Sequence, residues 1–131
     1  MALIEVVREV PLSVDEAWGR LTDWSRHGDH APLTSIELTP TGFNARTGLG
    51  RLGFDDPMDV VQWAPPHHCR IEKRGRVVLG WAEITVEEIA SGSRVRWVEE
   101  IHVRGVPRFA RRIEAAAGRR LFSGVIDELL A

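Results

Sequence analysis

The chain has 131 residues, 44% of them hydrophobic and 27% charged, with a formal net charge of −2. That suits one soluble domain with a single core and is too short for two domains flanking a cleft; the charge excludes a strong global pull toward nucleic acid or an anionic membrane. A lone cysteine, Cys69, excludes an internal disulfide and a paired-cysteine zinc site.

The opening MALIEVVREV carries charges within ten residues and reads as folded sequence rather than a signal peptide. No apolar run approaches the roughly 20 residues of a bilayer span. The expected compartment is therefore the cytoplasm, with no membrane insertion. Five tryptophans and no tyrosine mean that any chemistry must proceed without a phenol.

Residues 2–10 place Ile4, Val6 and Val10 on one alternating set and predict the first strand, which Pro11 ends. Ser13-Val14-Asp15-Glu16 has the form of a capping box, with the serine hydroxyl meeting the Glu16 amide and the Glu16 side chain reaching back. Val14, Ala17, Trp18 and Leu21 follow as one apolar helical stripe. A second short helix can restart at Asp23-Trp24-Ser25, to be stopped by Gly28 and Pro32.

From 34 to 104 the pattern predicts strands at 34–39, 46–54, 58–63, 68–74, 77–88 and 94–104. A two-residue turn at Gly75-Arg76 would pair Arg74 with Val77, Ile71 with Gly80 and Cys69 with Ala82. The next hairpin, around Ala90-Ser91-Gly92-Ser93, is expected to pair Val86 with Trp97, Ile84 with Glu99 and Ala82 with Ile101. A slip of one residue would set Trp97 and Ile101 against Glu83 and Glu87. The resulting inner face runs from Cys69, Ile71 and Val78 through Gly80, Ala82, Ile84 and Val86 to Trp97, Ile101 and Val103. Pro107 then opens a long helix with apolar residues at i+3 and i+4 spacing, from Phe109 and Ile113 to Val125 and Leu129.

Strand, two short helices, six strands in meander and one long helix make an α+β domain over residues 1–131. Its fold class is a seven-stranded twisted antiparallel sheet wrapped around the C-terminal helix. One helix about 10–12 Å thick cannot fill the concave face of such a sheet, so a cavity is the expected remainder.

Several stretches carry a family likeness: VPLSVDEAW from Val10 with Leu21-Thr22-Asp23-Trp24, VQWAPP from Val61, GWAEI from Gly80 and SRVRW from Ser93. Along its whole length the chain resembles the polyketide cyclase/dehydrase and lipid-transport family. That family belongs to the START and birch-pollen-allergen superfamily, whose fold is the helix-grip. The resemblance implies a cavity for a polyketide, fatty acyl or isoprenoid-type molecule, and some relatives of this look act as cyclases or dehydratases. It also places Trp24 to Pro32 near the cavity mouth, as a wall or lid.

The inward residues expected to meet such a ligand are Ile71, Ala82, Ile84, Trp97 and Ile101 on the sheet, with Trp24 from the second helix and Phe109 and Ile113 from the long one. Gly80 either leaves volume for the ligand or marks a bulge. Glu99 falls on the inner face, where a carboxylate must be paired, bonded to a ligand or protonated; otherwise it meets Arg96 or an arginine of the last helix. Lys73 is inward but close to a turn, and is expected to snorkel to the rim. His30 is a candidate acid or base at the pocket edge. With His27 it makes a His-x-x-His, too few ligands for a metal site, and neither metal nor cofactor is expected. Cys69 reads as an inert small hydrophobe.

Three functions remain open at this level: a carrier for a small hydrophobic molecule, a cyclase or dehydratase using Glu99 or His30, and a protein-interaction module. The last would use the arginine-rich run 104, 108, 111, 112, 119 and 120, which also reads as a solvated helix face. Nucleic acid is not an expected partner, and the chain is expected to be a monomer or homodimer.

Overall fold

The computed structural model describes residues 2–30 and 33–131. Strand β1 (Ala2–Val10) leads into helices α1 (Val14–Leu21) and α2 (Trp24–His27), the latter continued by a 3-10 turn at Gly28–His30. Strands β2 (Thr34–Thr39), β3 (Gly42–Thr47), β4 (Phe54–Ala64), β5 (His68–Lys73), β6 (Val78–Ile89) and β7 (Gly92–Val103) follow, and helix α3 (Arg111–Leu130) closes the chain. The strands form one antiparallel sheet in the order β1-β7-β6-β5-β4-β3-β2. Its first and last strands in sequence are thus neighbours, and the meander runs outward to β2. This is the helix-grip arrangement.

At the start of α1, Ser13 Oγ accepts from the Glu16 amide at 3.1 Å. The reciprocal half of the capping box is absent: the Glu16 carboxylate instead meets Arg20 Nη2 at 2.8 Å, one turn on. Arg20 also donates to the Leu130 and Ala131 carbonyls, at 3.1 and 2.6 Å. A cation there complements the negative end of the α3 dipole. The apolar stripe Ala17, Trp18 and Leu21 is buried as its spacing requires.

Two strand boundaries differ from the sequence expectation. The stretch 46–54 is not one strand. Gly48 sits at φ +118°, and a side chain there would run into the Gly53 Cα, so the chain doubles back through a 3-10 turn at Gly50–Leu52. Strand β3 is therefore the earlier segment Gly42–Thr47, and β4 is longer than 58–63. The long helix is also interrupted: Pro107 is extended (ψ 161°), a 3-10 turn covers Arg108–Ala110, and α3 begins only at Arg111.

Both hairpin registers differ from expectation by two residues. Ile71 pairs with Ala82 and Cys69 with Ile84, because residues 74–77 all belong to the β5–β6 connection. On the other side of β6, Ala82 pairs with Glu99, Ile84 with Trp97 and Val86 with Val95. Two residues is a full side-chain period, so every residue keeps its face while its neighbour changes.

Gly80 is explained by the backbone. It has φ +132°, and a Cβ there would overlap the Glu100 carbonyl oxygen. On α3, Gly118 is the point of closest approach: a Cβ would lie 2.6 Å from Ile4 Cδ1 and 3.0 Å from Ile101 Cδ1. The helix thereby seats against β1 and β7, with Val125, Ile126, Leu129 and Leu130 buried in its second half. The core holding this arrangement includes Ile4, Leu21, Ile84 and Ile126, all without exposed surface. Leu21→Ala is expected to lower stability by about 2–5 kcal/mol, seen as a lower urea midpoint at unchanged slope.

Candidate functional site

Between the concave face of the sheet and the Glu114–Val125 stretch of α3 lies a cavity of about 400 Å³. Each strand from β2 to β7 contributes alternate residues to it, as the two-residue period demands: Phe43 and Ala45 from β3, Ile71 from β5, Ala82 from β6, Trp97 and Ile101 from β7. Helix α3 contributes Leu121 and Phe122 among others. The lining is overwhelmingly apolar.

Into this apolar space the sheet projects three ionisable groups. Asp56 comes from β4, Lys73 from β5 and Glu99 from β7. Lys73 Nζ lies 2.8 Å from Asp56 Oδ2 and 3.6 Å from Met58 Sδ, and its side chain is only 5% exposed. The expected position at the rim is thus overturned: β5 ends at Lys73 opposite Met58, and Asp56, two residues along β4, holds the ammonium inside. Glu99 is 2% exposed, and its Oε2 accepts from Trp97 Nε1 at 3.2 Å. It meets no arginine there, since Arg96 points away to Glu5 at 2.8 Å.

Burial raises the Glu99 carboxyl to about 7, with Lys73 and the Trp97 hydrogen bond opposing and Asp56 adding to the rise. Asp56 is raised for the same first reason, loss of hydration, against the pull of Lys73. By contrast, burial pushes the Cys69 thiol up to about 12 and leaves it an inert part of the core.

An aromatic wall closes the α2 side. Trp24 stacks on Phe43 with centroids 5.0 Å apart, and His27 lies 5.8 Å from Trp97. His27 lines the cavity, its Nε2 held 2.7 Å from the Leu21 carbonyl. Trp97 continues to Phe122 of α3 at 6.3 Å. Trp24 itself supports this wall from behind and does not line the cavity.

Of the residues expected from sequence, the structure brings Ile71, Lys73, Ala82, Trp97, Glu99 and Ile101 together around the cavity. Ile84 is wholly buried in the core beyond it, and Gly80 answers a backbone need. Phe109 and Ile113 are 88% and 73% exposed: the turn before α3 swings Phe109 outward, and Ile113 lies on the helix face away from the sheet. The side chain of His30 lies outside the described residues, as do Ala31 and Pro32.

Sequence reasoning missed His27, Asp56 and Glu114. Asp56 is preceded by Asp55, and only strand parity tells which of the two points inward. Glu114 is the lone acid in the arginine-rich stretch 104–120. Its side chain is 7% exposed, and its Oε2 accepts from the Val103 amide at 3.1 Å. Among the described residues no group of three or more His, Cys, Asp or Glu side chains is placed to hold a metal ion, and no helix is long and apolar enough to cross a membrane.

The fold recurs in solved structures. A conserved protein from Geobacillus kaustophilus superposes with a TM-score of 0.77 at 18% identity, covering 98% of this chain and 91% of that one. XoxI from Bacillus cereus gives 0.74 at 17%, covering 99% and 94%. DynU16, a protein of the dynemicin biosynthetic locus, gives 0.64 at 20%, covering 98% of this chain but 47% of that longer one. Among curated protein sequences none matches. A family model described as polyketide cyclase / dehydrase and lipid transport matches residues 1–131.

The raised Glu99 carboxyl has a measurable consequence for stability. The folded protein keeps a proton on Glu99 that the unfolded chain releases at its ordinary value of 4.5. The folded state therefore binds more protons between pH 4.5 and 7, so stability falls as pH rises through that window and levels off above it. The loss is expected to be on the order of 3 kcal/mol. Asp56, starting lower, adds a slope of the same sign. Glu99→Gln, which mimics the protonated acid, should flatten the upper part of that slope in urea unfolding at stepped pH.

Proposed function

Because this chain belongs to the polyketide cyclase/dehydrase and lipid-transport family, we propose that it binds a small hydrophobic molecule in the cavity between the sheet and α3. The observation that carries this reading is the space itself: about 400 Å³, apolar in its lining, with polar groups concentrated at a few points. That is the construction of a ligand pocket, in which buried apolar area supplies affinity and a few fixed polar atoms set orientation. A core built only for stability would fill such a volume, because an empty cavity forfeits packing contacts.

Native mass spectrometry of the purified protein, followed by denaturing extraction, is the direct test. A discrete excess mass that disappears on denaturation is expected. A protein that is empty and takes up no apolar probe would refute the reading. Ala82→Phe projects a ring into the middle of the cavity from β6 and should reduce binding of any apolar ligand at least tenfold. A comparable change in a residue outside the cavity, such as Leu38→Phe on the exposed edge strand, should leave binding unaffected.

A second reading, proton-transfer catalysis of the cyclase or dehydratase kind, rests on Glu99. A carboxyl raised to about 7 in a water-poor space exchanges its proton near neutrality, which is what a general acid or base needs. Glu99→Gln should then abolish turnover of a reactive substrate while leaving its affinity within about tenfold. Equal loss of binding and turnover would leave only an orienting role.

A further inference from the structure

If the cavity binds a small apolar molecule, as argued above, its polar atoms specify the chemistry of that molecule. Three carboxylate residues, Asp56, Glu99 and Glu114, line the cavity, and Lys73 is the only lysine or arginine among the described residues that does. The Lys73 charge is already engaged by Asp56 Oδ2 at 2.8 Å, and its side chain is almost fully buried.

On the acceptor side two oxygens remain. Asp56 Oδ1 and Glu114 Oε1 are buried without a hydrogen-bond partner among the described residues. The Glu114 oxygen has His102 Nδ1 at 3.7 Å, beyond hydrogen-bond reach. Its side chain is more than nine-tenths buried while lining the cavity. Ionised carboxylates can only accept hydrogen bonds, and buried acceptors left without donors are costly. A ligand that donates relieves that cost; a ligand bearing its own carboxylate or phosphate adds negative charge to a low-dielectric space that already has an excess of it.

We propose that the cavity selects an apolar molecule bearing hydroxyl or protonated amine groups and rejects acids of the same size, fatty acids and phosphorylated lipids included. The shared chemistry is the hydrogen-bond donor. Asp56 and Glu114 receive it on opposite walls, one on β4 and the other on α3.

Three probes with one apolar body separate the possibilities: 2-naphthalenemethanol, 2-naphthalenemethylamine and 2-naphthylacetate, titrated calorimetrically at pH 7.5 into the intact protein. The alcohol or the amine is expected to bind at least tenfold more tightly than the acid. An amine ahead of the alcohol would identify net charge as the selector, and an alcohol equal to or ahead of the amine would identify the donor alone. Either order upholds the proposal. An acid that binds as well as the others would overturn it while leaving the cavity reading intact. Failure of all three to bind protein that native mass spectrometry shows to be empty would overturn the cavity reading, and this proposal with it. Glu114→Gln keeps an acceptor for the Val103 amide and removes one charge, so the penalty on the acid should shrink at least threefold. An unchanged penalty in Glu114→Gln, Asp56→Asn and Glu99→Gln alike would remove the carboxylates as its source.

Discussion

The structure turns on a mismatch of widths. Seven strands at about 4.8 Å spacing make a concave face far wider than a helix of about 10–12 Å. α3 is the only long helix among the described residues, and it seats at one side, against β1 and β7. Gly118 fixes that position, since a side chain there would meet both Ile4 and Ile101. What the helix leaves uncovered toward β2–β5 is the cavity, and the short helices α1 and α2 with their tryptophans wall off part of it.

An apolar space of this kind changes the meaning of every polar group within it. Exposed ion pairs elsewhere on the sheet, such as Arg94 with Glu87 at 2.7 Å, contribute little because water screens them. The pair of Lys73 with Asp56 is held out of water, and Glu99 nearby must share the field of both. Protonation of Glu99 leaves this group of three neutral, which is why burial outweighs the lysine and the carboxyl rises. The same loss of hydration acts on Cys69 with the opposite consequence. Glu99 is brought into the range where it exchanges protons at neutral pH, while the thiol is carried out of the range where it can react.

Much of this was legible in the chain. Alternation placed Ile71, Ala82, Trp97, Glu99 and Ile101 on one face, and that assignment survives a two-residue error in both hairpin registers because parity is all that a face requires. The capping serine and the stripe Ala17-Trp18-Leu21 marked α1 correctly. Turn geometry was less legible. Gly48 reads as a strand residue until its positive φ is seen, and the lengths of the β5–β6 and β6–β7 connections set which residues face each other. Helical periodicity brought Phe109 and Ile113 into the predicted site, yet the chain before α3 is a 3-10 turn and places Phe109 outside.

Sequence alone therefore determined the order of elements, the two faces of the sheet and the presence of a carboxylate on the inner one, because each depends on local periodicity. Only the tertiary structure decided that Lys73 is buried against Asp56, that Glu114 of α3 closes on the same space, and that His27 belongs to its wall. Those placements depend on how residues distant in sequence approach across a curved sheet. Twist, bulge and helix seating set these distances, and no local pattern encodes them.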